Sequence, residues 1–181
     1  LISEMTDLAY ICDTQGNIVF VNPTFEKLTS HKPEEFTGKP FAPLFDDQNL
    51  KTGMEFYTKT LAGESPRFEV YFKDTGVLCE YKNIPLRDDL GNIIGVIGVA
   101  RDITERKRME NVLRETNQTL QAIILASPLA ITVLDSRGCV KVWNPSAERI
   151  FGWKEQEVLN RELPFVPEDK QPEFLSLRNR V

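Results

Sequence analysis

The sequence predicts an α+β architecture: an antiparallel sheet with helices on one face, a long linker helix, and the first part of a second copy of the same domain. Three observations carry this expectation. Short apolar runs bounded by turn residues stand at both ends of residues 8–102, with helical spacing between them. From Ile103 to Ala126 apolar residues recur in steps of three and four beside a densely charged face. Residues of the first turn and helix also reappear at one constant offset: Asp13, Gly16, Asn22, Pro23, Glu26 and Lys32 recur, 122 positions on, as Asp135, Gly138, Asn144, Pro145, Glu148 and Lys154.

In chain order, Leu1, Ile2 and Met5 read as the end of a preceding helix within residues 1–7. Residues 8–13 and 18–21 flank Thr14-Gln15-Gly16-Asn17, the pattern of a β-hairpin. Pro23 opens a short helix to Thr29, because its missing amide hydrogen would be unpaired in a first turn anyway. Pro33-Glu34-Glu35-Phe36 is another helical turn, stopped at Gly38. A longer helix runs from Asp46 to a stop at Gly63, with an apolar stripe of Leu50, Met54, Tyr57 and Leu61.

Residues 67–73 alternate, which puts Phe68, Val70 and Phe72 on one face of a half-buried strand. After the turn at Asp74-Thr75-Gly76 a second strand spans residues 77–86, where Pro85 favours an edge or a bulge. Residues 88–92 turn the chain into a buried strand at 93–100, which leads directly into a helix. There Asp102, followed three positions later by Glu105, has the reciprocal pattern of a capping box. Hairpins at both ends with helices between them make a sheet covered on one face.

Along the linker helix, Leu113, Thr116, Leu120 and Ile123 form a coiled-coil seam. At 1.5 Å per residue this helix spans ~36 Å, more than its own domain can cover. A parallel homodimer through the linker is therefore expected. The resulting division is a preceding helix end at 1–7, a first domain at 8–102, a linker at 103–127 and the N-terminal half of a second domain at 128–181. That second copy is expected to be truncated within its longer helix and to expose the core face of its hairpin, unless dimer contacts or further chain complete it.

Bulk properties narrow the function. The 181 residues carry 22 basic and 27 acidic side chains, a net charge of −5, so no electrostatic footprint for nucleic acid exists. The one basic run, Arg106-Lys107-Arg108, lies on the helix and reads as a solvated face. Cys12, Cys79 and Cys139 are odd in number and widely spaced, which gives neither a disulfide framework nor a metal site, and fits a reducing, cytoplasmic compartment. No apolar run approaches the length of a membrane span, so no membrane contact by this segment is expected.

The residues Asp13-Thr14-Gln15-Gly16-Asn17-Ile18 leading to Val21-Asn22-Pro23, then Glu34-Glu35-Phe36-Thr37-Gly38-Lys39, and the closing Arg101-Asp102-Ile103-Thr104-Glu105-Arg106-Lys107 resemble PAS domains of prokaryotic sensor proteins. The likeness covers one complete copy and the first half of another. It implies a five-stranded antiparallel sheet of order 2-1-5-4-3, often with a ligand between sheet and helices. It also implies a signal-coupling role for Asp102, Ile103 and Thr104 at the end of the last strand. The output implied is a histidine kinase of a two-component phosphorelay, with a diguanylate cyclase or a ligand-free dimerisation and spacer role as alternatives.

The chain itself offers no catalytic constellation. His31 is the sole histidine and reads as a surface loop residue, with no Cys or His cluster near it in sequence. Relatives that bind haem take their iron ligand from the longer helix, and residues 46–62 hold no histidine. Flavin-binding relatives carry an Asn-Cys-Arg-Phe motif, which is absent. Haem and flavin are thus not expected. What remains is a pocket for a small organic ligand, formed by Met54, Tyr57 and Leu61 of the helix against Phe68, Val70, Phe72 and Tyr81 of the sheet.

Overall fold

A computed structural model of the protein describes residues 6–163. The expected helix end at 1–5 and the second copy beyond residue 163 lie outside the described residues. The chain divides into two compact units, with the boundary between Glu110 and Asn111.

In the first unit, β1 (Leu8–Asp13) and β2 (Ile18–Val21) form the hairpin. Its turn is held by one carboxylate. Asp13 accepts the backbone N–H groups of Gln15 and Asn17, both at 2.9 Å, while Gly16 takes the left-handed φ of 85° that the turn requires. These hydrogen bonds, led by the one from the Asn17 side chain, hold the Asp13 carboxyl below its usual range. Helices α1 (Thr24–Thr29) and α2 (Pro33–Phe36) follow, then a 3-10 turn at Ala42–Leu44 and α3 (Asp47–Leu61). Asp46 caps α3 by accepting the Asn49 N–H at 2.8 Å.

Three strands complete the sheet: β3 (Arg67–Tyr71), β4 (Leu78–Arg87) and β5 (Ile93–Asp102). Their order is β2-β1-β5-β4-β3, antiparallel throughout. The core lies between one sheet face and the helices, with Phe25 of α1 and Val70 and Val96 of the sheet almost wholly enclosed. Full burial of such a side chain contributes ~1.5–3 kcal/mol relative to exposure. Pro85 sits past the last β3 partner of β4, which is Lys82 opposite Arg67, and a bulge follows at Leu86. A missing ladder donor is tolerated there because β4 is locally an edge.

Two local expectations are corrected. Strand β5 runs on to Asp102, since Glu80 and Cys79 of β4 still pair with Arg101 and Asp102. Helix α4 (Thr104–Ala126) therefore begins one residue later than expected, and the capping box does not form: Asp102 accepts the Thr104 N–H at 2.8 Å, with no return bond from Glu105. The stripe of α3 is also displaced. Its buried residues are Gly53, Tyr57 and Thr60, whereas Met54 is 45% exposed. Phe56 packs on the core instead, stacked on Phe68 at 4.7 Å. A four-three-four spacing fits two neighbouring faces of a helix, and the bulkier aromatic at position 56 takes the inward one.

Among the described residues, the second unit repeats the hairpin and the two short helices of the first. Strands β6 (Thr132–Leu134) and β7 (Val140–Trp143) pair as a hairpin, followed by α5 (Pro145–Phe151) and α6 (Glu155–Val158). The repetition extends to single hydrogen bonds. Asn22 accepts the Ala9 N–H and donates to the Asp7 carbonyl; Asn144 accepts the Ile131 N–H and donates to the Leu129 carbonyl. Val133 and Ile150 of this unit remain 45% and 61% exposed, while Leu28, the counterpart of Ile150, is buried in the first unit.

Candidate functional site

The face of the sheet turned to the helices carries a small cavity of about 50 Å3. Alternation along the strands decides which residues reach it. Tyr81 and Asn83 of β4 share a face because they are two apart, and Tyr10 of β1 stands opposite the same β5 residue, Gly98, as Asn83 does. Gly98 makes the meeting of those two side chains sterically feasible. A Cβ there would lie 2.5 Å from the Tyr10 ring and 2.7 Å from the Asn83 amide oxygen. With no side chain in the way, the Tyr10 hydroxyl donates to that oxygen across the central strand.

An aromatic column supports the cavity. Phe56 of α3 stacks on Phe68 of β3, and Phe68 stacks on Tyr81 at 5.1 Å. From the loop before α3, Phe45 stacks on Phe72 at 5.4 Å and Phe41 leans on Tyr57 at 5.1 Å. The Tyr57 hydroxyl donates to the Asp13 carbonyl, tying α3 to the hairpin turn. Burial pushes the Tyr81 hydroxyl well above its ordinary pKa and the Tyr57 hydroxyl as well, so both are neutral at any physiological pH. The Cys12 thiol, also at the cavity, is pushed up to about 12 by burial and is inert.

Of the residues expected here, Tyr57, Phe68, Val70, Phe72 and Tyr81 line the cavity. Met54 and Leu61 do not. Met54 faces outward, and Leu61 packs on the core rim one turn beyond the cavity. The structure adds Tyr10, Asn83, Phe41, Phe45 and Gly53. Asn83 and Tyr10 share the strand parity of Tyr81 and Cys12, a signal present in the sequence; the two phenylalanines stand in a loop with no period to read.

Of the three residues expected to couple the signal, Ile103 and Thr104 meet at one backbone position, Leu78, while Asp102 pairs with Cys79. Ile103, 2% exposed, donates its N–H to the Leu78 carbonyl at 2.9 Å, and the Thr104 hydroxyl accepts the Leu78 N–H at 2.9 Å. Ion pairs from Lys107 to Glu69 (3.0 Å) and from Arg106 to Glu80 (3.8 Å) tie the next turn of α4 to β3 and β4. Further along α4, Leu113, Thr116, Leu120 and Ile123 are all exposed, and no residue of this helix is buried. His31 is not a bare loop residue. Its Nε2 lies 2.9 Å from Asp74 and its Nδ1 3.4 Å from Glu35, which raises its pKa, chiefly through Asp74. Among the described residues no cluster of His, Cys, Asp and Glu is arranged to hold a metal ion, and no helix is long and apolar enough to cross a membrane.

Comparison with known proteins places this geometry. The sensor protein FixL of Bradyrhizobium diazoefficiens is 34% identical over 76 residues, 42% of this chain and 15% of that protein. The methanogenesis regulatory histidine kinase FilI of Methanothrix harundinacea is 27% identical over 130 residues, 70% of this chain and 15% of that protein. The chain thus spans about 15% of the length of these curated relatives. Among solved structures, the PAS domain of a Colwellia psychrerythraea protein superposes with a TM-score of 0.51 at 20% identity, covering 57% of this chain and 92% of that one. Sequence models of the PAS fold match residues 2–108 and again residues 118–179. With the β2-β1-β5-β4-β3 sheet and its repeated hairpin, these matches make the chain a member of the PAS fold family, with two PAS regions in tandem.

Proposed function

We infer that the chain is a signal-transducing module in which the state of the first unit's cavity is passed to the linker helix and onward to an output domain. The observation that supports this reading is the double hydrogen bond at Leu78. Strand β4 supplies Tyr81 and Asn83 to the cavity, and its first residue holds both Ile103 and Thr104, so a shift of β4 is delivered to the first turn of α4. Packed helices choose between discrete arrangements, so a small strand shift suffices to select one.

The exposed seam of Leu113, Thr116, Leu120 and Ile123 is the surface through which α4 pairs with its copy in a homodimer, in the cytoplasm. The output is a histidine kinase, in keeping with the name of one relative above, the histidine kinase FilI; a diguanylate cyclase is the alternative output. A second reading, a ligand-free dimerisation and spacer module, is favoured by the small size of the cavity.

Crosslinking tests the proposal. With Cys139 replaced by Ser, Leu113→Cys and Leu120→Cys chains are oxidised with and without Gly53→Leu, which fills the cavity. A changed ratio of the two crosslinks supports coupling. Equal ratios favour the spacer reading, and no crosslink at either position removes the dimer.

A further inference from the structure

His31 is the sole histidine of the chain, so between about pH 5.5 and 8 it is the one side chain of ordinary pKa whose charge changes. Its place gives that change a mechanical meaning. It stands in the link between α1 and α2, and its two ring nitrogens face carboxylates of two different elements. Nε2 lies 2.9 Å from Asp74 in the β3–β4 turn, and Nδ1 lies 3.4 Å from Glu35 of α2. A neutral imidazole carries one N–H, whereas an acceptor at each nitrogen calls for two. The bridge is therefore that of the imidazolium, and it weakens when the proton leaves. The ring also meets the Phe36 ring at 5.1 Å, and the Thr29 hydroxyl accepts the His31 backbone N–H at 3.2 Å. Among the described residues the charges that act on the imidazole are those of Asp74 and Glu35, with no lysine or arginine opposing them.

What the bridge holds is the approach to Leu78. Two side-chain tethers pin the turn at residues 74–76 to the helices. One is indifferent to pH, the Thr75 hydroxyl donating to the Leu28 carbonyl at 2.6 Å. The other is Asp74 to His31. Within the turn, the Gly76 N–H donates to the Phe72 carbonyl at 2.8 Å and the Phe72 N–H to the Val77 carbonyl at 3.0 Å, so a displacement of Asp74 is carried to Val77. The next residue is Leu78, whose backbone holds both Ile103 and Thr104 at the root of α4. At the 122-residue offset the second unit has Trp153 in place of His31, so it lacks the device.

We propose that His31 is a proton-operated latch on the β3–β4 turn. Charged, it ties the turn to the α1–α2 link and holds the start of β4, and with it the root of α4, in one arrangement. Its side chain is 32% exposed, so the proton passes directly to solvent. The neutral ring then releases the turn, and the root of α4 shifts. This rests on the reading in which β4 passes its position to α4 through Leu78.

The test follows the amide NMR resonances of the 181-residue chain from about pH 5.5 to 8.5, with the His31 ring protons as reference. In the wild type Gly76, Leu78 and Thr104 titrate with the midpoint of the ring, above about 6.5, while Trp143 and Asn144 of the second unit stay still. Across that midpoint, hydrogen exchange at the Gly76 amide, corrected for its intrinsic pH dependence, speeds by about two- to fivefold, the effect of one exposed ion pair. His31→Gln abolishes these titrations, and Asp74→Asn lowers the ring midpoint more than Glu35→Gln does. Turn resonances that do not follow the ring overturn the latch and leave the coupling through Leu78 standing. Turn resonances that follow it while Thr104 stays still overturn the transmission to α4 together with that coupling. A ring midpoint unmoved by Asp74→Asn overturns the pairing on which the latch depends.

Discussion

Leu78 and Thr104, 26 residues apart, are joined by a hydrogen bond of 2.9 Å from the backbone N–H of the first to the side-chain oxygen of the second. The bond closes a ring with that from Ile103 to the Leu78 carbonyl, so the start of β4 and the start of α4 move as one body. Thr104→Val keeps the shape and removes the acceptor. It is expected to cost ~1–2 kcal/mol and to speed hydrogen exchange at the Leu78 amide, while Thr104→Ser restores both. Unchanged exchange at Leu78 in the valine variant would remove this bond from the coupling.

Two glycines should respond in opposite directions. Gly98→Ala drives a methyl group into Tyr10 and Asn83, and is expected to destabilise the first unit by ~2–3 kcal/mol. Gly53→Ala lies mid-helix with open space beside it and should stabilise by ~1 kcal/mol. Urea denaturation followed by circular dichroism reads both; equal signs would contradict the described packing.

His31 gives the fold a pH dependence. Asp74, and then Glu35, raise its folded pKa above the ordinary value. The stabilisation is therefore complete below about pH 6.5 and fades as pH rises through the folded value. Wild type should melt above His31→Gln at about pH 5.5, and the gap should close toward pH 8.5. Asp74→Asn should flatten most of that dependence, and a gap that widens with pH would refute the pairing.

Asn144 is the hub of the second unit. Its amide oxygen accepts the N–H groups of Ile131 and Ala147, and its nitrogen donates to the carbonyls of Ile124 and Leu129. Asn144→Ala leaves these groups unpaired in a buried place and should cost ~3 kcal/mol or more. Both tryptophans, Trp143 and Trp153, lie in this unit, so their fluorescence follows its unfolding alone. A transition unmoved in the variant would contradict the hub.

Thiol chemistry offers a simple check on burial. Burial pushes the thiols of Cys12 and Cys79 up to about 12, whereas Cys139 is only half-buried. A water-soluble disulfide reagent should modify one thiol of the native chain and three after denaturation. Fast reaction of all three without denaturant would show that the sheet core is open.

Much of this molecule was readable in advance because the signals are local. The hairpin at Asp13–Asn17, the helix beginning beside Pro23 and the turn at Asp88–Asn92 each depend on residues within a few positions of one another, where φ preferences and side-chain caps decide the outcome. The displaced face of α3 was not readable, since Met54 and Phe56 are equally apolar in sequence and only the shape of the facing sheet selects between them.

By itself, then, the sequence determined the succession of strands and helices, the duplication at an offset of 122 and the junction of strand to linker helix, all of which follow from backbone periodicity and turn chemistry. Tertiary structure alone decided that Tyr10 meets Asn83 above Gly98, that His31 meets Asp74, and that the Tyr81 hydroxyl is left without a partner. Those outcomes depend on strand register and on how side-chain volumes fill the space between sheet and helices, and neither quantity is encoded within any short stretch of the chain.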